Sequence, residues 1–155
     1  MSDAVSDANL FDVGLQQDAD DPPGYQVSYV RVGPLVGGEK LGLSVYGLPP
    51  GQSICPYHWE ASDEEWLIVL AGRPTVRTPE GERELAPWDT ICFPASAEGA
   101  HKVTNRTEEP ARVAMLSTKN DPGVSFYPDS YKVGGWPPGK LFRIDDAVEY
   151  FEGEL

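Results

Sequence analysis

The segment Gly51–Gly72, GQSICPYHWEASDEEWLIVLAG, combines one of the two histidines of this chain with several acids and an apolar run. His58 and Glu60 are two positions apart and share one face of an extended strand, and Glu65 opens the apolar run. His101 opens a second short apolar segment, HKVTN. Two imidazoles and a carboxylate that converge could bind Fe(II), Mn(II), Zn(II) or a related ion. The alternative is a histidine with ordinary hydrogen bonds beside solvated acids.

The apolar run after Glu65 has bulky residues on both faces of a strand. Alternation predicts that Leu67 and Val69 share the face of Glu65, and that the opposite face carries Trp66, Ile68 and Leu70. A strand that is apolar on both faces needs cover on both, from the interior of a sheet structure and from a second layer or another subunit. We therefore expect a homodimer.

Short apolar and β-branched runs recur between Gly- and Pro-rich turns along most of the chain, which predicts an all-β fold, either a sandwich, a jelly roll or a barrel. The clearest hairpin turn is TPEG at 78–81. Only the end, IDDAVEYFEGEL, is typical of a short helix, with Asp145 as its N-cap. We divide the chain into an acidic N-terminal arm (1–24), a β domain (25–127) and a C-terminal tail that packs on it (128–155).

The composition excludes several classes of function. A formal charge of −13 and a pI near 4.4 provide no basic surface for nucleic acid or anionic membranes. The longest apolar run, 66–71, is far too short to span a bilayer, and the first residues lack the pattern of a secretion signal. We expect a cytoplasmic protein whose partner is a small molecule. No phosphate loop, dinucleotide fingerprint or nucleophile with an adjacent base is present.

Two groups of residues resemble the paired motifs of the cupin superfamily, over roughly residues 40–118. In order, the matching residues are Gly51, His58, Glu65 and Gly72, then Pro94, His101 and Asn105. The resemblance implies a β-barrel of the jelly-roll type (double-stranded β-helix), commonly dimeric, in which three histidines and one glutamate hold a divalent metal.

The chain departs from this pattern at the metal ligands themselves. Glu60 stands where the second histidine of an H-x-H pair is usual, and Trp88 and Ser96 replace usual glycines. Carried over by position, the implied metal ligands are His58, Glu60, Glu65 and His101. Two carboxylates balance the charge of a divalent ion and favour Mn, Fe, Zn or Ni over copper.

Two functions follow from this ligand set. The first is a metal-dependent cupin that acts on a small organic molecule by oxygenase, isomerase or lyase chemistry. The second is a metal-free cupin that binds a small molecule or regulates without catalysis, in which Glu60 and Glu65 repel each other and one of them takes up a proton. In the segment SFYPDSYKVGGWPPGK, four residues could fold over the barrel mouth, namely Tyr127, Asp129, Tyr131 and Trp136, although plain packing is the simpler role.

Overall fold

The protein is described by a computed structural model that covers residues 6–154. The strands are β1 (Gln16–Gln17), β2 (Ser28–Arg31), β3 (Leu41–Leu48), β4 (Trp59–Glu60), β5 (Glu65–Ala71), β6 (Thr75–Thr78), β7 (Gly81–Glu84), β8 (Thr90–Phe93), β9 (Lys102–Thr104), β10 (Ala111–Thr118), β11 (Gly123–Tyr127), β12 (Lys132–Trp136) and β13 (Lys140–Arg143). A single turn of α-helix, α1 (Val32–Leu35), and 3-10 turns at Ala97–Gly99, Pro128–Ser130 and Ile144–Asp146 complete the elements.

The strands form three antiparallel sheets. Their orders are β1-β2-β3-β10-β5-β8, then β13-β12-β11-β4, and β7-β6-β9. The inner core joins the six-stranded sheet to the three-stranded sheet, because Leu67 and Val113 of the first pack in one cluster with Val76 and Val103 of the second. The all-β jelly-roll barrel expected from the sequence is confirmed, and the predicted TPEG turn joins β6 to β7.

Strand β5 has the two apolar faces that alternation predicts. Leu67 and Val69 are fully buried in the inner core. Ile68 and Leu70 belong to a second cluster on the outside of the six-stranded sheet. Trp66, near the start of the same outer face, is 41% exposed.

The N-terminal arm provides the second layer over this outer face. Leu10 and Val13 pack into the outer cluster, and β1 pairs with β2. The Arg112 guanidinium donates to the Leu10 carbonyl at 2.9 Å and to the Val13 carbonyl at 3.1 Å. The chain thus covers Ile68 and Leu70 by itself, and the homodimer stays a prediction.

The tail extends the four-stranded sheet, with β12 between β11 and β13. The helix predicted from Asp145 onwards is restricted to the 3-10 turn Ile144–Asp146, and its predicted continuation is wrong, because only turns follow up to residue 154. Val148, Tyr150 and Phe151 are all strongly exposed. A short helix needs an apolar surface to pack on, and these side chains find none. Within residues 6–154, no helix is long and apolar enough to cross a membrane.

Candidate metal centre

The two histidines are cross-strand partners. The His58 N–H donates to the His101 carbonyl at 3.1 Å, and the His101 N–H donates to the His58 carbonyl at 2.8 Å. This isolated antiparallel bridge sets the two imidazole centroids 4.8 Å apart. Because residues directly opposite in such a pair project to the same side, both side chains enter the same space.

Both imidazoles are held in the same tautomer. Nδ1 of His58 lies 3.0 Å from the Pro56 carbonyl oxygen, and Nδ1 of His101 lies 2.9 Å from that of Gly99. A carbonyl oxygen only accepts hydrogen bonds, so each Nδ1 carries the proton and donates it. Each Nε2 therefore has a free lone pair, as a metal-binding histidine requires.

Glu65, the first residue of β5, brings a carboxylate oxygen between these two nitrogens. Its Oε2 lies 3.7 Å from Nε2 of His58 and 3.5 Å from Nε2 of His101. Oε2 is buried and has no hydrogen-bond partner among residues 6–154. A buried carboxylate oxygen without a donor is costly, so this arrangement needs either a proton or a cation.

Burial perturbs the titration of these groups in opposite directions. Burial, and then the nearby charges of Glu60 and Asp63, raise the pKa of Glu65 to about 7. Burial, and then the neighbouring His58, lower the pKa of His101 to about 4. Burial also lowers the pKa of His58, although the charge of Glu60 acts against it. Both imidazoles are accordingly neutral near neutral pH, and Glu65 is poised to exchange its proton for a metal.

The donor set fits a divalent cation. The nearest donor atoms of His58, Glu65 and His101 all lie within 4.8 Å of one another. They are two imidazole nitrogens without protons and one carboxylate oxygen, which together suit ions such as Zn(II), Fe(II) or Mn(II). A cation at their centre would give the partnerless Oε2 of Glu65 its missing contact.

Glu60, the fourth predicted ligand, lies beside this triplet. Its Oε1 is 3.6 Å from Nε2 of His58. The Ser125 hydroxyl lies 2.7 Å from Oε1 and 2.6 Å from Oε2, so its single proton is shared between the two oxygens. Glu60 and Ser125 are paired in register between β4 and β11. The structure thus brings all four predicted residues to one place, with Glu60 held by a contact that the sequence did not predict.

The second motif fixes His101 through close packing. The His101 ring stacks on Phe93 with centroids 3.7 Å apart, and its side chain is 2% exposed. Gly99, whose carbonyl orients the ring, allows no side chain, because a Cβ there would collide with the Pro94 carbonyl oxygen. Asn105, the last motif residue, is structural: its amide donates to the Leu48 and Glu109 carbonyls.

A cavity of about 620 Å³ opens over the site, with Glu60 and Glu65 in its wall. Of the four residues expected over the barrel mouth, Tyr127 and Trp136 line the cavity. The other two do not: Asp129 forms an ion pair with Arg77 at 2.6 Å, and Tyr131 is 54% exposed.

Several other residues of this cavity were not predicted from the sequence. They include Arg31, Tyr46, Ser117, Asn120 and Ser125. Arg31 and Tyr46 also line an adjoining cavity of about 420 Å³. None of them stands at a motif position, and strand pairing brings them to the site from distant parts of the chain. The only sequence pattern that could have found them is strand parity, which places Arg31 on the face of Tyr29.

Comparison with known proteins places this geometry in a family. The family model of the cupin domain (Cupin_2) matches residues 44–117, and no curated protein matches the chain. A crystal structure of a cupin-superfamily sugar phosphate isomerase from Silicibacter pomeroyi superposes with a TM-score of 0.80 at 21% identity, covering 95% of this chain and 98% of that one.

Two further solved structures are similar. A putative sugar phosphate isomerase from Acidithiobacillus ferrooxidans gives a TM-score of 0.75 at 26% identity, with 82% of each chain covered. The polyketide cyclase RemF from Streptomyces resistomycificus gives 0.61 at 17% identity, with 77% of this chain and 84% of that one covered. The family model therefore identifies residues 44–117 as a cupin domain, which the structure folds as a jelly-roll barrel.

Proposed function

We propose that this protein is a divalent-metal-dependent cupin that isomerises a small polyhydroxylated organic molecule. The observation that carries the proposal is the convergence of three candidate ligand atoms, Nε2 of His58, Nε2 of His101 and Oε2 of Glu65, of which the last has no hydrogen-bond partner in the described chain. The similarity to the putative sugar phosphate isomerase, at 26% identity, supports the choice of isomerase chemistry.

In this proposal His58, Glu65 and His101 hold the ion and Glu60 is its fourth ligand, through Oε1. An ion held there would supply Lewis-acid chemistry to oxygens of the bound molecule. Glu60 also lines the cavity, so its second carboxylate oxygen can accept a proton from the molecule and return it. Ser125 fixes both oxygens and so sets the direction of that transfer.

The two tyrosines of the wall act as donors. Burial raises the pKa of Tyr46 and of Tyr127. Both phenols therefore keep their protons at neutral pH and can donate hydrogen bonds to hydroxyl or carbonyl oxygens of the molecule. The wall around them is mostly polar, with Ser117 and Asn120 nearby. Such a surface suits a sugar or polyol better than an aromatic hydrocarbon.

The experiment has two stages. Protein purified without chelator is analysed for Mn, Fe, Ni and Zn, and the metal-free protein is titrated with each ion beside Glu65→Ala. The loaded protein is then incubated in D₂O with aldoses, ketoses and their phosphate esters, and exchange of the proton next to the carbonyl is followed by NMR. Exchange that requires both metal and Glu60 supports the proposal. Stoichiometric metal without exchange on any compound of the panel counts against isomerase chemistry.

A second candidate, a metal-free binding module, is favoured by one observation. With a pKa raised to about 7, Glu65 can keep its proton and donate it to an Nε2, so the site can be satisfied without an ion. Metal-free purified protein that gains no stability from any of the four ions would select this function.

A further inference from the structure

The cavity over the candidate metal centre is lined by both acidic and basic side chains. Two of its four acids, Glu60 and Glu65, lie at the metal-binding triplet, whereas Arg31 contributes a cation to the same cavity. Arg31 ends β2, in register with Ser44, and the residue two before it, Tyr29, is paired with Tyr46. Arg31 and Tyr29 thus share one face of β2. The rings of Tyr29 and Tyr46 stack with centroids 5.9 Å apart and form the aromatic wall next to Arg31.

The pKa of Tyr46 is affected both by the Arg31 cation and by the metal-binding residue Glu65. The pKa is raised mainly by burial, and of the two cavity charges Glu65 raises it further while Arg31 lowers it. Both charges therefore act on one phenol, so a molecule of modest size that lies along Tyr46 would reach both. The cavity volume of about 620 Å³ is within the range of small-molecule sites.

Arg31 has no carboxylate within ion-pair distance among residues 6–154. Three other arginines each contact a carboxylate at 2.6 Å, namely Arg73, Arg77 and Arg106. Lys119, the second cation of the cavity wall, likewise has no ion pair within the described chain.

Four acids line the cavity, and hydrogen bonds within the described chain hold two of them, Asp63 and Glu60. Asp63 accepts hydrogen bonds from the Thr118 hydroxyl at 3.0 Å and from the Asn120 backbone at 2.9 Å. Glu60 accepts from Ser125, Glu65 lies between the two histidines, and Asp121 is the fourth acid. None of the four forms an ion pair with Arg31 or Lys119 within residues 6–154, so both cations are available to an anionic group of a bound molecule.

We infer that Arg31, assisted by Lys119, binds a phosphate group at the end of the molecule whose other end reaches the metal centre. The inference rests on the proposed function for that second contact. An arginine fork matches two oxygens of a phosphate, and a lysine adds a point charge. The substrate class is thus a small polyol or sugar phosphate ester. The Ser117, Thr118 and Asn120 side chains, in the same wall, suit its hydroxyl groups.

The test uses the full-length, metal-free protein, because a bound metal would itself attract phosphate. Binding of inorganic phosphate, glycerol 3-phosphate and glycerol is measured by calorimetry at low ionic strength for the parent, Arg31→Gln and Arg83→Gln. Arg83 is an exposed arginine of β7 outside the metal cavity, so its variant changes the net charge equally. Circular dichroism and the unfolding midpoint establish that each variant is folded.

We expect the parent to bind both phosphates and to prefer glycerol 3-phosphate to glycerol. Arg31→Gln should lower the affinity for both phosphates by about tenfold or more, because a charge-assisted contact is lost. The affinities of Arg83→Gln should stay within about twofold of those of the parent. The inference is overturned if the parent binds no phosphate, if Arg31→Gln binds it as the parent does, or if both variants weaken it equally.

Metal titration of the same variants separates this inference from the proposed function. Arg31 contacts none of the metal-binding side chains, so Arg31→Gln should bind Zn(II) with the parent's affinity. A parent that binds phosphate through Arg31 but binds no metal retains the phosphate site and contradicts the metal-dependent function. A parent that binds metal but shows no preference for phosphate contradicts the phosphate site and leaves the metal-dependent function standing.

Discussion

His58 and His101 form a hydrogen-bonded cross-strand pair, so the backbone fixes the spacing of the two imidazoles. Their Nδ1 atoms are further held by the Pro56 and Gly99 carbonyls. The nitrogen half of the metal centre is thus organised by backbone bonds that do not depend on an ion. The carboxylates differ, because Glu65 has no such support for its Oε2. We expect removal of metal to change the protonation of Glu65 rather than the position of the histidines.

Substitution of Glu60 tests the departure from the usual ligand set. Glu60→Ala should lower metal occupancy strongly, whereas Glu60→His restores the usual three histidines and should hold an ion at least as well as the parent. Metal content and affinity of the purified proteins provide the measurement. The matched control is Glu64→Ala, since the Glu64 carboxylate accepts from the Trp66 indole at 2.7 Å, away from the site. Equal occupancy in Glu60→Ala and the parent would remove Glu60 from the ligand set.

Glu65→Gln tests the cost of the buried carboxylate in metal-free protein. The folded-state pKa of Glu65 is raised to about 7, so its stabilising contribution is present at low pH and is lost as pH rises from its ordinary value of 4.5 through about 7. Glu65→Gln cannot undergo this loss. The free energy of unfolding of the variant should therefore rise relative to that of the parent across this pH window. Above the window, the difference should be on the order of 3 kcal/mol.

The measurement is urea unfolding of both metal-free proteins at pH 5, 6, 7 and 8. His101, whose pKa is lowered to about 4, contributes in the opposite direction, because its stabilisation is lost as pH falls. That contribution is common to both proteins and largely cancels in their difference. Glu64→Gln is the control. Parallel pH profiles for parent and Glu65→Gln would show that Glu65 is ionised in the metal-free protein throughout.

Metal affinity should rise with pH, because the ion displaces the Glu65 proton. With the pKa of Glu65 raised to about 7, a single competing proton predicts about a tenfold gain in affinity from pH 6 to pH 8. Both histidines have lowered pKa values and add little in this range. Competition titration with Zn(II) at three pH values measures the slope. An affinity that does not change between pH 6 and 8 would argue that Glu65 needs no deprotonation to bind.

Asn105→Ala should destabilise the fold without affecting metal binding. The fully buried amide donates to two carbonyls, and its oxygen accepts from the Thr107 N–H at 3.0 Å and hydroxyl at 2.8 Å. Its loss leaves several buried groups unpaired, at a cost of about 2–4 kcal/mol in unfolding free energy. Chemical denaturation of the parent and of Asn105→Ala measures this loss. A loss of Zn(II) affinity in folded Asn105→Ala would instead assign this residue a role at the site.

The sequence predicts what depends on local periodicity and motif spacing. Alternation placed Leu67 with Val69 and Ile68 with Leu70, and the structure has both pairs on the predicted faces. The bond from Ser125 to Glu60 could not be predicted in this way, because it joins strands far apart in the chain. The helix expected after Asp145 shows the opposite error, since a local pattern cannot determine whether a surface is available for packing.

Trp88 shows how a departure from a motif can leave the fold unchanged. It stands at a usual glycine position and keeps a left-handed backbone, with φ of 75°. The turn is still closed, since the Asp89 N–H donates to the Ala86 carbonyl at 3.0 Å. A non-glycine residue in this conformation costs roughly 1 kcal/mol, which the surrounding sheet tolerates.

The N-terminal arm, which Arg112 holds on the six-stranded sheet, behaves as an intramolecular ligand of the outer face. Leu10 and Val13 are tethered to the surface they cover, so their effective concentration at that surface is of the order of millimolar or higher. Any separate chain that approaches Ile68 and Leu70 must compete with this tethered occupant. The outer face of the barrel is thereby protected against chance association, and an assembly of two copies would have to use a different surface or displace the arm.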